Sequence, residues 1–325
     1  DVERSRGLGD VYKRQGGRIT LIADLNNHHS ETQIKGSLSA WGGGLGGNGG
    51  FIETSAAILG VGGRARINTS SSRGRQGTWL LDPEDFTVAA SGGNITGSVL
   101  STALGSNNVT IQTSASTASC NGASCRSGTS GNGDILVNDS ISWTSNYTLT
   151  LAAYRNVTIS APISLSGSTN AALNLYANAL SASAYTSVGS GSGGIAINAP
   201  VTVSGSAATV TLNATAITDI SASGITYGYG GYISYPDVSS STTGRLTINA
   251  QAYTLLSALA QLDALDGDIA SGSGNTAVAS GLHAVTGFYA LTQNLTATDT
   301  YYRALVNPNS TFAFSGKFDG LGHTI

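Results

Sequence analysis

The chain has 325 residues, a net charge of −3 and only 10% charged side chains, and it is dominated by Gly 44, Ser 44 and Thr 36. Glycine follows no three-residue period, which excludes collagen, and the 40% hydrophobic share excludes an ordinary disordered polar tract. No apolar run approaches the roughly 18 residues of a membrane-spanning helix, and the mild acidity supplies no electrostatic reason to bind nucleic acid or anionic lipid.

Residues Ser5 to Gln15 read Ser-Arg-Gly-Leu-Gly-Asp-Val-Tyr-Lys-Arg-Gln and resemble the in-frame translation of a transposon-type sequencing-library adaptor. The resemblance implies that residues 1–15 are an artefact to be set aside from fold and function. With no Met in the chain, the expectation is an internal fragment of a longer protein. His28 and His29 follow two Asn. Neighbours in a strand point to opposite faces, so this pair reads as a solvated turn and not as a chelate.

Residues 16–250 are filled with short alternating runs such as Ile19-Thr-Leu-Ile22, Val109-Thr-Ile111 and Leu149-Thr-Leu151. Alternation rich in β-branched residues predicts strands. Segments 133–145, 155–167 and 193–205 align on their apolar positions: Ile135, Val157 and Ile195; Val137, Ile159 and Ile197; Ile141, Ile163 and Val201; Trp143, Leu165 and Val203. The offsets, 22 and 38, fit a period near 20 if 38 is two turns. That pattern predicts an all-β, right-handed parallel β-helix, a β-solenoid of roughly eleven coils. Pro162 and Pro200 fall at equivalent corners, where no ladder donor is needed. An array of immunoglobulin-like sandwiches would instead repeat every 80 to 100 residues or so.

Cys120 and Cys125 stand in a Gly/Ser-rich stretch. They fit a local disulfide in an exported protein, or a reduced pair; a zinc site wants four ligands, and no His lies near them in sequence. Enzymes built on β-helices gather carboxylates on one face of successive coils. Here Asp82, Glu84 and Asp85 form one sequence cluster, and Asp263, Asp266 and Asp268 another. Residues 146–218 hold Arg155 as their single basic residue and no carboxylate, so no catalytic groove is expected along those coils. Neither a cofactor nor a metal is expected. Nine Asn-x-Ser/Thr sequons occur, at Asn68, Asn94, Asn108, Asn138, Asn146, Asn156, Asn213, Asn294 and Asn309.

Residues 224–236 carry Tyr227, Tyr229, Tyr232 and Tyr235. They read as an extruded hairpin or loop, and as the candidate ligand-contact surface, because Tyr joins a rigid apolar face to a polar tip. Leu255, Leu259, Leu262 and Leu265 recur at helical spacing, which predicts one short helix near 253–266. The expected organisation is therefore a rod over 16–250, then a helix-containing boundary and the start of a downstream β-repeat module over 251–325.

The stretches Gly43-Gly-Leu-Gly-Gly-Asn-Gly-Gly-Phe-Ile-Glu-Thr-Ser55 and Gly77-Thr-Trp-Leu-Leu-Asp-Pro83 resemble the filamentous-haemagglutinin-type exoproteins of bacterial two-partner secretion. The end, Gly320-Leu-Gly-His323, resembles a short repeat found downstream in such adhesins. The resemblance implies a secreted or cell-surface adhesive rod without catalysis, exported through an outer-membrane transporter partner that recognises a region before residue 16. It also implies binding to a host or bacterial surface glycan or protein, with neither nucleic acid nor membrane insertion involved. Two alternatives stand beside it: the stalk of a contact-dependent growth-inhibition toxin, and a β-helical carbohydrate-active enzyme, which a carboxylate cluster shared by adjacent coils would favour.

Overall fold

Each alternating run forms a strand that lies parallel on its equivalent from the preceding turn of chain. A computed structural model describes residues 14–24, 27, 29–113, 131–177, 193–214, 224–266, 285–297, 305–306 and 314–325. The first two coils are three-sided: β1 (Arg18–Ile22), β2 (Glu31–Ile34) and β3 (Ser37–Ser39), then β4 (Phe51–Ser55), β5 (Ile58–Val61) and β6 (Arg66–Asn68). The third coil runs β7 (Thr78–Asp82), β8 (Phe86–Val88) and a helix, α1 (Gly97–Ala103). The fourth to seventh follow as β9 (Asn108–Gln112), β10 (Ile135–Val137), β11 (Ile141–Trp143); β12 (Thr148–Ala152), β13 (Val157–Ile159), β14 (Ile163–Leu165); β15 (Ala172–Tyr176), β16 (Ile195–Ile197), β17 (Pro200–Val203); and β18 (Thr209–Asn213), β19 (Ile225–Tyr227), β20 (Tyr232–Ser234).

One face of every coil joins a single sheet in the order β1-β4-β7-β9-β12-β15-β18. Its inward positions stack as two apolar columns. One runs Ile52, Trp79, Val109, Leu149, Leu173 and Val210, the other Leu81, Ile111, Leu151, Leu175 and Leu212, with Thr54 at its start. All are at most 1% exposed. No coil buries its apolar side alone, and stacking makes one continuous core. This is a parallel β-helix.

The aligned segments pair residue for residue as the sequence predicts: Ile135 with Val157 and Val157 with Ile195, then Ile141 with Ile163 and Ile163 with Val201. The coil length differs from the expectation. Val157 and Ile195 are direct neighbours, so 38 residues make one coil and not two. Register offsets run from 22 (Ile135↔Val157) to 49 (Phe86↔Ile135), and 16–250 holds seven three-sided coils instead of eleven. Loops absorb the variation, because lengthening a loop costs little once its strands are in register.

Nothing in the hydrophobic pattern announces the helix α1, yet it occupies the third face between β6 and β11. Thr96 caps it, accepting from the Val99 N–H at 3.3 Å. Ser101 Oγ accepts the Ser142 N–H at 2.9 Å, as a neighbouring strand would. Val99, Leu100 and Ala103 are its buried side chains, facing the core.

After β21 (Thr242–Ile248) the chain reverses. β22 (Gln251–Leu256) pairs antiparallel with β21, and β23 (Phe288–Leu291) and β24 (Lys317–Asp319) continue parallel to β22. Asn249 and Ala250 both take positive φ, 48° and 64°, as a two-residue type I′ hairpin turn requires. The predicted helix is shorter than 253–266: residues 253–256 belong to β22, and α2 (Leu259–Asp263) is followed by one 3-10 turn, Ala264–Asp266. Leu259 and Leu262 pack with Leu256, Leu291 and Leu295 in a small second core.

Candidate functional site

The residue entering β8, β10 or β13 sits at a corner where the chain turns off the main sheet. Asp85 Oδ1 accepts the Asp134 N–H at 2.8 Å, Asp134 Oδ1 accepts the Asn156 N–H at 3.1 Å, and Asn156 Oδ1 accepts the Gly194 N–H at 2.9 Å. Each side chain thus ties its coil to the next. Arg155 grips Asp134 with two N–H groups, Nε to Oδ1 at 2.8 Å and Nη2 to Oδ2 at 2.5 Å. This is a carboxylate pair with an arginine on adjacent coils, the arrangement that an enzyme reading asks for.

Its chemistry is that of a brace. Burial pushes the Asp134 carboxyl up, but the Arg155 guanidinium and the Asn156 donors outweigh it and hold the group below its ordinary value. Both oxygens are already committed to donors. Burial raises Asp85, against the N–H groups of Asp134 and Gly133. A general acid and a general base each need a free oxygen directed at substrate, and Asp134 has none to offer. Asp134 does not stand out among the carboxylates of the sequence; the signal that marks it is its place immediately before Ile135, aligned with Asn156 before Val157.

The four tyrosines do not form one surface, and their segment is not an extruded loop. It is the last pair of coil strands: β19 stacks on β16, and β20 stacks on β17. Tyr235 is in the core at 1% exposure, with its ring 5.0 Å from the Arg245 guanidinium carbon, so it is removed from any surface contact. Burial drives its hydroxyl pKa up. Tyr227 packs against the core with a buried hydroxyl. Tyr232 is partly buried against His323, ring centroids 5.2 Å apart. Tyr229 alone of the four stands free, at 107% exposure. The glycines do mark a turn, Gly228–Gly231 with Tyr229 in it, but a short one between two coil strands; Tyr227 and Tyr232 lie in those strands and Tyr235 just beyond them.

His323 is a clasp. Its Nε2 lies 2.9 Å from the Ile233 carbonyl, and Leu321 O accepts the Ile233 N–H at 2.9 Å. The Gly320–His323 segment therefore closes the end of the β11-β14-β17-β20 sheet, with Leu321 fully buried. Burial lowers the His323 pKa, opposed by the Ile233 carbonyl.

The remaining candidates scatter. Cys120, Cys125, His28, His283 and Asp268 lie outside the described residues. Asp263 is buried at the end of α2, away from Asp82 on β7. No group of three His, Cys, Asp or Glu that would hold a metal occurs among the described residues. A hollow of about 230 Å³ beside Trp143 is lined by Ser101, Ser142, Thr144, Ser145, Ser164 and Ser166. Its hydroxyls do not titrate near neutrality, and Trp143 is itself buried. Several sequon asparagines serve the frame. Asn94, Asn108, Asn146 and Asn156 each accept a backbone N–H through Oδ1. Asn138 is exposed.

No protein-family model, no curated protein and no solved structure matches the chain.

Proposed function

We propose that the chain is a structural and adhesive rod segment of a large secreted or surface-displayed bacterial exoprotein that mediates attachment to host or neighbouring cells. The observation that supports this reading most is where the polar side chains go. Asp85, Asp134, Arg155, Asn156 and Arg245 bind backbone or one another, which leaves a stiff column faced with hydroxyls and bearing isolated contact groups such as Tyr229. The resemblance of the 43–55 and 77–83 stretches to two-partner-secretion exoproteins points the same way, with an outer-membrane transporter as export partner.

Immobilised chain should retain cells or glycan-coated beads above a β-helix of unrelated sequence, and soluble chain should compete that retention away. Equal retention by both proteins would sink the reading. A carbohydrate-active enzyme is the second reading, with Asp85, whose carboxyl burial raises, as its candidate acid and Asp134, held by Arg155 and Asn156, as a positioning group on the next coil. Incubation with polysaccharides that released no new sugar ends would remove it, and release abolished by Asp85→Asn would replace the adhesive reading.

A further inference from the structure

The outward row at the end of the main sheet gathers buried polar atoms on consecutive strands. It reads Ile22, Ser55, Asp82, Gln112, Ala152, Tyr176 and Asn213, from the pairings Ile22↔Ser55, Ser55↔Asp82, Ala152↔Gln112, Ala152↔Tyr176 and Tyr176↔Asn213. Asp82 and Gln112 meet one residue beyond the Leu81↔Ile111 pair. Three consecutive members carry buried oxygens with no hydrogen-bond partner: Ser55 Oγ, Asp82 Oδ1 and Gln112 Oε1. Ser55 is wholly buried, at 0% exposure.

Unpaired buried oxygens are costly, and an unpaired buried carboxylate most of all. Three on adjacent strands call for a common partner. The row has no basic side chain, and Arg18, on the same sheet, is already bound to Glu53 at 2.9 Å. Burial and the Glu53 charge push the Asp82 carboxyl up to about 6, with no lowering contribution beside them.

We propose that this row binds a hard divalent cation of calcium size, with Asp82 supplying the charge and Gln112 and Ser55 the flanking neutral oxygens. The donor set is carboxylate, amide carbonyl and hydroxyl, which suits calcium or magnesium and not a soft metal. Geometry chooses between the two. Equivalent atoms on three neighbouring parallel strands span about 9.6 Å, so the Ser55 and Gln112 side chains must lean from either side toward an ion held at Asp82. Calcium, with its flexible coordination at about 2.3–2.6 Å, tolerates such an irregular shell, whereas magnesium demands near-ideal octahedral geometry at about 2.0–2.1 Å. Asp82 and Gln112 are only partly buried as whole residues, which leaves room for water to complete the shell. The ion would pin three coils together from outside, beside the column that holds Leu81 and Ile111.

The test is a calcium chloride titration of the whole chain after chelator treatment, read by calorimetry and by thermal midpoint. Wild type should bind one calcium ion and gain several degrees, with magnesium at equal concentration giving a smaller shift. Asp82→Asn should abolish both signals, and Gln112→Ala should weaken calcium binding roughly tenfold or more, as removal of one ligand does. Ser55→Ala, a change of one atom, reports on the same site should either of the other variants fail to fold. No calcium response in wild type, or an equal response in every folded variant, overturns the proposal.

Discussion

The indole N–H of Trp79 donates to Thr54 Oγ1 at 3.0 Å inside the apolar column, both residues wholly buried. It joins β4 to β7, and therefore joins the 43–55 stretch to the 77–83 stretch. Two patterns that look separate in sequence are one unit in space. Ile52 lies under Trp79, Thr54 under Leu81 and Ser55 under Asp82.

Thr54→Val keeps the shape and strands the indole N–H, which should destabilise the rod by about 1–3 kcal/mol. Trp79→Ala should cost about 3–5 kcal/mol by emptying the column. Urea denaturation of the two variants checks both. A Thr54→Val midpoint equal to wild type would show that the hydrogen bond contributes nothing.

Asp134 is ionised more readily in the folded chain than in the unfolded one, because Arg155 and Asn156 outweigh its burial. Its contribution is thus fully present above the ordinary Asp value of 3.8 and is lost as pH falls through the lower folded value. Wild type should be more stable than Asp134→Asn at neutral pH, and the gap should close in strong acid. Thermal melts of both proteins between neutral pH and about pH 3 measure it. A gap that persists unchanged would remove the brace at this corner.

Tyr229 and Tyr235 should separate cleanly. Tyr229→Ala touches only solvent-facing surface and should leave stability within about 0.5 kcal/mol, while reducing cell retention if that ring makes contact. Tyr235→Ala removes a core side chain and should cost about 3–5 kcal/mol. Parallel melts and retention assays read the two effects independently.

Gly322 takes φ +83°, and a Cβ there would fall 2.2 Å from the Gly231 carbonyl oxygen. Gly322→Ala should therefore lift the Gly320–His323 clasp from β20, at a cost of about 1–3 kcal/mol, and expose Leu321. Faster proteolytic trimming at this end, with the upstream coils intact, is the expected result.

Sequence pattern is most informative where loops are short. In 133–167 one coil takes 22 residues and the apolar positions overlay directly, so Ile135, Val157 and Trp143 occupy the inward places that their alternation predicts. Between Val157 and Ile195 the loop grows, and periodicity then cannot distinguish one long coil from two short ones. The helix α1 is hidden for a different reason. Its buried residues, Val99, Leu100 and Ala103, span one short turn that strand-like composition surrounds, although Thr96 is a recognisable cap. The Ser55-Asp82-Gln112 row is invisible in sequence because it depends on register between three segments of unequal spacing: Asp82 reads only as a neighbour of Glu84 and Asp85, and Ser55 and Gln112 do not stand out.

The turn at Asn249 and Ala250 bears on how the molecule carries load. Upstream of it, successive coils share one strand direction, so tension along the axis passes through covalent loops as well as ladders. At this turn the strand direction inverts, and only two residues connect β21 to β22. A pull between the two sides is borne first by the hydrogen bonds between those two strands, with no spare loop to extend. Asn249 Oδ1 accepts the Ala214 N–H at 3.0 Å, which anchors the reversal to the coil beneath. Under stretching, the β21–β22 seam is where the column should part.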